Sequence, residues 1–200
     1  MKEIFIYGAS GHGLVVADIA RACGYEKITF VDDGNNEYPC FEAIKDYKNG
    51  EMALGIGNNQ TRQHLFERVK SHGFKLPVLI HPSSIVSSSS VIEEGSVVMP
   101  HVVINARVCV GKGVILNTNC VVEHECHLGD FTHISPCVAL AGNVSIKELT
   151  HIGIGSCVIQ KVRIGEKSVI GAGSVVVSDL PDHKVCFGNP CKVARDITHG

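Results

Sequence analysis

The chain has almost no charge imbalance: 18 Lys and Arg stand against 20 Asp and Glu, a formal net charge of −2. A nucleic-acid or anionic-membrane partner calls for a basic excess, so neither is expected. C-x-x-C is absent, and the nine cysteines are odd in number, which argues against a disulfide framework and against a zinc site. No basic stretch followed by an apolar one opens the chain, so no signal peptide is expected and a reducing cytoplasm is the expected compartment. Nor does any apolar run approach the ~20 residues of a membrane span. What remains is a chain of 200 residues, 44% hydrophobic and 19% charged. That composition fits a packed globular protein of one large or two modest domains.

From Val86 to Val176 an aliphatic residue recurs at every sixth position, sixteen times without an insertion. A period of six fits neither a 3.6-residue helix nor an alternating strand. It fits a β-solenoid in which each hexad supplies one short flat side and one corner. A second inward column falls four residues after each aliphatic and holds small or β-branched residues such as Val102, Cys120, Cys126, Thr132 and Ser156. Glycine often follows the aliphatic directly, at Gly111, Gly129, Gly153, Gly165 and Gly171; the expected reason is the backbone freedom a tight corner needs. The pattern resembles the hexapeptide-repeat acyltransferases, whose left-handed parallel β-helix has three hexads per coil. Coil size and hand come from that resemblance. They imply that residues eighteen apart are neighbours, and a stack of about five coils on the order of 24 Å tall.

The first eighty residues read as an α/β, Rossmann-like unit with a parallel sheet. Ile4–Tyr7, Lys27–Val31, Ala53–Ile56 and Pro77–Ile80 are predicted strands; Leu14–Cys23 and Gln60–Ser71 are predicted helices, with an asparagine of the Gly57-Asn58-Asn59 turn able to cap the second. The expected division is 1–82 for this unit, 83–177 for the β-helix and 178–200 for a C-terminal cap, since a solenoid's last coil leaves an edge to cover.

Gly8-Ala9-Ser10-Gly11-His12-Gly13 joins the first strand to the first helix, where N–H groups and a helix N-terminus can meet an anion. Asp32 and Asp33 follow about twenty residues on, the distance at which an acidic residue reaches ribose hydroxyls. The spacing is G-x-x-G-x-G, not that of a dinucleotide site, and four strands make only about half of a dinucleotide fold. A mononucleotide or nucleotide-sugar site is the expectation, against a glycine turn that merely packs helix on sheet.

The segment from Val121 to His133 carries the densest chemistry. Val122 and Cys126 face inward, whereas His124 lies in the corner set with Ala106 and Gly142 one coil away on either side. Both neighbours are small, so a recess is expected, and an imidazole suits proton removal at neutral pH. The alternative is a solvated surface histidine. Glu125 either orients the ring or pairs with Arg107, its column neighbour. His133 and His151 share a column and are open to ligand contact, mutual hydrogen bonding or metal binding.

With these residues on the page the resemblance narrows. Ile6 to Leu14, Ile56 to Asn59, Met99 to Ala106, and Ile115 to Thr118 with His124-Glu125-Cys126 are similar to the sialic-acid O-acetyltransferase group, and within it to the bacterial UDP-4-amino-sugar N-acetyltransferases that make UDP-N,N′-diacetylbacillosamine. That likeness implies a homotrimer with acetyl-CoA lying between neighbouring prisms, a UDP-amino-sugar on the N-terminal domain, and no metal. It implies His124 as general base and Glu125 as its partner. Gly8, Ser10, Gly11, His12 and Gly13 would hold the phosphates, Asp32 and Asp33 the uridine, and Asn58 and Asn117 further parts of the acceptor. His133, Gly142 and Gly171 would contact acetyl-CoA.

Direct transfer is then expected: His124 removes a proton as the sugar 4-amine attacks the thioester, and backbone N–H near Gly142 holds the oxyanion. Cys126 faces the core and makes a poor acyl carrier. Three other readings compete. In the first, the acceptor is instead a hydroxyl of a sialic or legionaminic-type sugar. A zinc hydratase of the γ-carbonic-anhydrase type needs three convergent ligands. The last is a non-enzymatic nucleotide-binding scaffold on a trimeric stalk.

Overall fold

A computed structural model describes residues 2–47 and 49–197. The N-terminal unit runs β1 (Glu3–Tyr7), α1 (His12–Ala22), β2 (Lys27–Val31), a short α2 (Phe41–Ile44), β3 (Met52–Leu54) and α3 (Asn59–Ser71). Its sheet is parallel, ordered β2-β1-β3. Alternation along β1 sends Ile4 and Ile6 into the core shared with α1 and the solenoid, and Phe5 and Tyr7 into a second core with Phe41, Met52, Leu54 and Phe66. Successive strand residues point to opposite faces, so the apolar run of β1 marks a strand covered on both sides.

The fourth strand expected for this sheet belongs elsewhere. Leu79–Ile80 pairs with Val97–Val98 and forms the first strand of the solenoid. Ile80 stands one hexad before Val86, so the repeat starts earlier than its clearest stretch, and the His81-Pro82-Ser83-Ser84 segment is a corner within the first coil.

From Leu79 onward the chain winds as a triangular prism. The first side stacks Leu79–Ile80, Val97–Val98, Ile115–Leu116, His133–Ile134, His151–Ile152 and Val169–Ile170. The second stacks Ile85–Val86, Val103–Ile104, Val121–Val122, Ala139–Leu140, Cys157–Val158 and Val175–Val176. The third stacks Val91–Ile92, Cys109–Val110, His127–Leu128, Ser145–Ile146 and Arg163–Ile164. Partners are eighteen residues apart throughout, as in His133↔His151 and Val121↔Ala139. With the earlier start, the first two sides each carry six stacked strands instead of the five coils expected.

Both inward columns are buried from Val98 to Val176. Each fully buried Val, Leu or Ile contributes about 1.5–3 kcal/mol. Hydroxyls survive in this core because most answer a corner carbonyl: Thr150 Oγ1 donates to Gly165 O at 2.6 Å and Ser156 Oγ to Gly171 O at 3.0 Å. The glycines after the aliphatics have another cause than the one expected. None has positive φ. A Cβ on Gly129 would sit 2.5 Å from Glu148 N, and one on Gly153 2.7 Å from Ala172 N, so close approach of the next coil excludes side chains there. The left-handed residues come three positions after the aliphatic and are mostly not glycine, among them Arg107, Glu125 and Asn143 at φ 59° to 60°.

A hairpin, Lys184–Gly188 with Cys191–Asp196, extends the first side by pairing with Val169–Ile170. The N-terminal unit packs along the solenoid beside that side, from Leu79 to Leu149. Its junction is centred on Arg62 of α3, 1% exposed. Nε donates to Gly113 O at 2.7 Å, Nη1 to Ile56 O and Gly57 O, and Nη2 to Asn59 Oδ1, Phe131 O and Thr132 O.

Candidate active site

The glycine loop is shaped by contact first. Gly8 has φ 106°, and a Cβ on Gly13 would collide with the Gly8 carbonyl. Here α1 meets β1 at backbone distance, so these glycines serve packing whatever else they bind. Asp32 tethers the loop: Oδ2 accepts from Ala9 N at 2.9 Å, and Oδ1 from Gly34 N at 2.8 Å. These backbone N–H bonds hold its carboxyl below the usual carboxylate range. Asp33 is engaged inside the protein, accepting from Tyr7 Oη at 2.5 Å, Phe41 N at 2.8 Å and Arg68 Nη1 at 2.6 Å. Asn58 caps α3 through Oδ1, which accepts from Thr61 N at 2.9 Å, as the turn chemistry predicts. Ser10 accepts from Gly13 N through its carbonyl at 2.7 Å, and Gly11 has open space where a Cβ would stand.

The N-termini of α1 and α3 both face the first side of the prism. A cavity of about 230 Å³ opens there, lined by Gly57, Asn58, Asn59, Gln60, His151 and Lys167 among others. Lys167, a cation facing the start of α3, has no sequence signal that singles it out; only the coil places it there.

Three imidazoles line the junction between the units. His133 and His151 stack with ring centres 4.6 Å apart and planes 1° from parallel, and His12 lies 6.2 Å from His133. Asn117 fixes the His133 tautomer. Its Oδ1 accepts from Thr118 N at 2.8 Å, which leaves Nδ2 to donate to His133 Nε2 at 3.1 Å. The proton therefore belongs on Nδ1, which points towards the Gly57 carbonyl without reaching hydrogen-bond geometry. His151 Nε2 is taken by Ser135 Oγ at 2.8 Å. The column pair is thus a ring stack with each Nε2 committed to a side chain of the preceding coil, an arrangement unlike converging metal ligands. Burial first, and the nearby Arg62 charge, lower His12 to about 4. Burial, then His151 and Arg62, lower His133 to about 3.

His124 lies elsewhere, at the corner between the second and third sides. Its ring sits over Gly142: a Cβ there would come 2.5 Å from Nε2. Its Nδ1 faces Glu125 Oε2 at 3.2 Å, while Glu125 Oε1 faces Arg107 Nη1 at 3.4 Å. One carboxylate thus stands between the His124 ring and the Arg107 guanidinium one coil away. Left-handed backbone at Glu125, φ 60°, turns its side chain back along the corner to its own neighbour; such a conformation costs a non-glycine residue roughly 1–2 kcal/mol. The recess expected between Ala106 and Gly142 is found only on the Ala106 side, as a pocket of about 210 Å³ walled by Ala106, Arg107, His124 and Glu125, because the ring itself fills the space over Gly142. A groove of about 690 Å³ runs along the third side instead. Its rim carries Glu93, Asp130, Glu148 and Glu166 against Lys147, an unfavourable setting for phosphates.

One chain therefore holds two separate groups. His12, Asn117 and His133 belong with the glycine loop on the first side. His124, Glu125 and Gly142 occupy the corner opposite that side. His133 and Gly142, expected together at a thioester, are thus divided between them, and Gly171 lies under Phe187 of the terminal hairpin. The physical reason is the triangle itself: hexad register says which residues face out, but not which of them share a side. Cys120 and Cys126 are buried, which pushes the Cys120 thiol up to about 12 and raises that of Cys126.

Residues 3–69 match the PglD N-terminal domain family. Among solved structures, a histidine-to-alanine mutant of GDP-perosamine N-acetyltransferase from Caulobacter crescentus, in complex with CoA and GDP-perosamine, is 37% identical, with a TM-score of 0.93 and 98% of each chain covered. The acetyltransferase domain of PglB from Neisseria gonorrhoeae FA1090, in complex with acetyl coenzyme A, is 40% identical, with a TM-score of 0.90 over 96% of this chain and 99% of that one. UDP-N-acetylbacillosamine N-acetyltransferase of Bacillus subtilis (strain 168) is 34% identical over 45% of this chain and 48% of its own length. The solenoid is thus the left-handed β-helix of such acetyltransferases.

Proposed function

The chain belongs to the hexapeptide-repeat sugar N-acetyltransferases, whose co-substrate is acetyl-CoA, and we propose that it acetylates the 4-amino group of a UDP-linked amino-deoxy sugar with His124 as general base. The observation that carries this reading is the seating of His124. With Glu125 accepting from Nδ1, Nε2 is left as the base, lying against Gly142 beside the pocket walled by Ala106, Arg107 and Glu125. As the neutral amine attacks the thioester carbon, the C–N bond forms and the nitrogen's proton passes to Nε2; the C–S bond then breaks and the proton leaves with the CoA sulfur. Asn143 N and Ala141 N bond to adjacent coils, to His124 O and Val158 O, which leaves the Gly142 N–H between them as the donor for the oxyanion. With Cys126 buried and its thiol pKa raised, no acyl-cysteine is needed.

Two copies of the chain complete the site. The acceptor's phosphates are assigned to Gly8, Ser10, Gly11, His12 and Gly13 with Asn58, over the first side; Asp32 and Asp33 shape the nucleoside end. His124 is at the opposite corner, so a neighbouring copy must supply it. The second side suits that contact. Its outward column is Ile85, Val103, Val121, Ala139, Cys157 and Val175, apolar over six coils, with Ile85 68% exposed. A continuous apolar strip of this kind marks an association surface, and it ends at the His124 corner. We assign a homotrimer, with acetyl-CoA along the seam near His124, Gly142 and, from the next copy, Asn117 and His133. Among the described residues no helix is long and apolar enough to cross a membrane; nine free thiols support the cytoplasm.

A GDP-linked acceptor is the second reading, favoured by full-length similarity to the Caulobacter enzyme. Release of CoA thiol from acetyl-CoA, measured over UDP- and GDP-linked 4-amino sugars and free sialic acid, separates the cases. The UDP-linked amine is expected to react fastest. A preference for GDP reassigns the nucleotide, and turnover confined to the sialic hydroxyl overturns N-acetylation.

A further inference from the structure

We propose that Arg62 is a positioning residue for acyl transfer, locking the nucleotide-sugar unit to the solenoid in the one orientation that presents the acceptor to the reacting seam. The inference rests on the acetyl-transfer reading above. Its basis is the contrast between where Arg62 is and what surrounds it. The side chain is 1% exposed, yet all six hydrogen-bond acceptors are neutral: the carbonyls of Ile56, Gly57, Gly113, Phe131 and Thr132, and the Asn59 side chain. Desolvating a cation without a countercharge is costly. Apolar side chains would join the same two surfaces without that cost. What the guanidinium adds is direction, since its planar fork fixes five N–H vectors at once.

Those vectors end at functionally placed backbone. Gly57 immediately precedes Asn58 at the α3 cap, and Phe131 and Thr132 immediately precede His133. Gly113 lies one coil below Phe131 at the same corner. One side chain therefore sets the loop after β3 against two successive coils, beside the seam that holds His12 and His133. A shift of about 1 Å between a bound acceptor and its reacting partner can cost about 100-fold in rate. The same charge acts on the three imidazoles: Arg62 is among the causes lowering His12, His133 and His151, after burial and, for His133, its neighbour His151. A cation that binds nothing charged thus also disfavours protonation along the seam.

The test uses full-length Arg62→Lys and Arg62→Met, with thermal melts, oligomeric state, steady-state kinetics and histidine side-chain NMR titrations. Arg62→Met is expected to lower kcat per folded protein by about 100-fold, with the acetyl-CoA KM changed less than about threefold, and to move the His12 and His133 titrations upward. Arg62→Lys, retaining charge but not the fork, should keep the titrations low and still lose about 10-fold or more in kcat. If Met fails to fold, the Lys variant decides. Variants that melt lower but keep wild-type kcat and unmoved histidines reduce Arg62 to a structural staple and overturn the proposal. Wild-type protein inactive on every amino sugar instead defeats the acetyl-transfer reading, while the titrations still report on Arg62.

Discussion

His124 is held by its neighbours more than by burial. Its side chain is 58% exposed, but Gly142 leaves room below the ring and Glu125 fixes Nδ1. Replacing it with asparagine should leave the melting temperature within about 2 °C, since exposed substitutions cost little. Turnover should fall by about 10²–10⁴-fold, the usual share of a general base; unchanged turnover removes the base assignment. Gly142→Ala is a second probe because it keeps the imidazole and displaces it. The added Cβ would lie 2.5 Å from Nε2, so the ring must move. A kcat loss of about 10–100-fold is expected with the fold intact, and a wild-type kcat contradicts the seating described here.

At the scale of elements, the histidines of the junction tie stability to pH. His12 and His133 are lowered from 6.5 to about 4 and about 3. Between those values and 6.5 the unfolded chain binds more protons than the folded one, so stability is full above pH 6.5 and is lost as pH falls. Melts from pH 8 to 4.5 should drop by about 5 °C or more on the acid side, and His133→Asn should flatten the profile. A melting temperature that rises on acidification contradicts the buried neutral stack. The hexads made a β-solenoid legible from sequence, because a six-residue period has few structural meanings; its three-sided coil came from the family resemblance. The start at Leu79 was obscured by Pro82 and two serines, which read as a linker and are a corner. The glycines were visible but their cause was not, since inter-coil distance leaves no trace in one dimension. Arg62 and Lys167 carried no signal at all: each matters through backbone or helix ends brought near by folding.

For the whole molecule, His124 and the glycine loop lie on opposite sides of one triangle, so the proposed site depends on association. The apolar second side makes association testable on its own. Val121→Asp places a carboxylate in the middle of that strip, and sedimentation should show dissociation with activity lost in step. A variant that stays associated and active contradicts the assignment of that face. The expected partner of His124 is then the acceptor-binding unit of another copy. Subunit mixing tests this most directly, using His124→Asn and Gly11→Asp chains. Gly11 has open space where a Cβ would stand, but at φ 36° and ψ −98° any side chain is strained, so the fold of this variant is checked by its melt before mixing; a carboxylate there repels the acceptor's phosphates. Each variant alone should be nearly inactive. Dissociated and reassembled together in equal amounts, they should recover about a quarter of wild-type activity, the share of seams in a cyclic trimer that join two intact halves. A mixture no more active than its parents places the entire site within one chain.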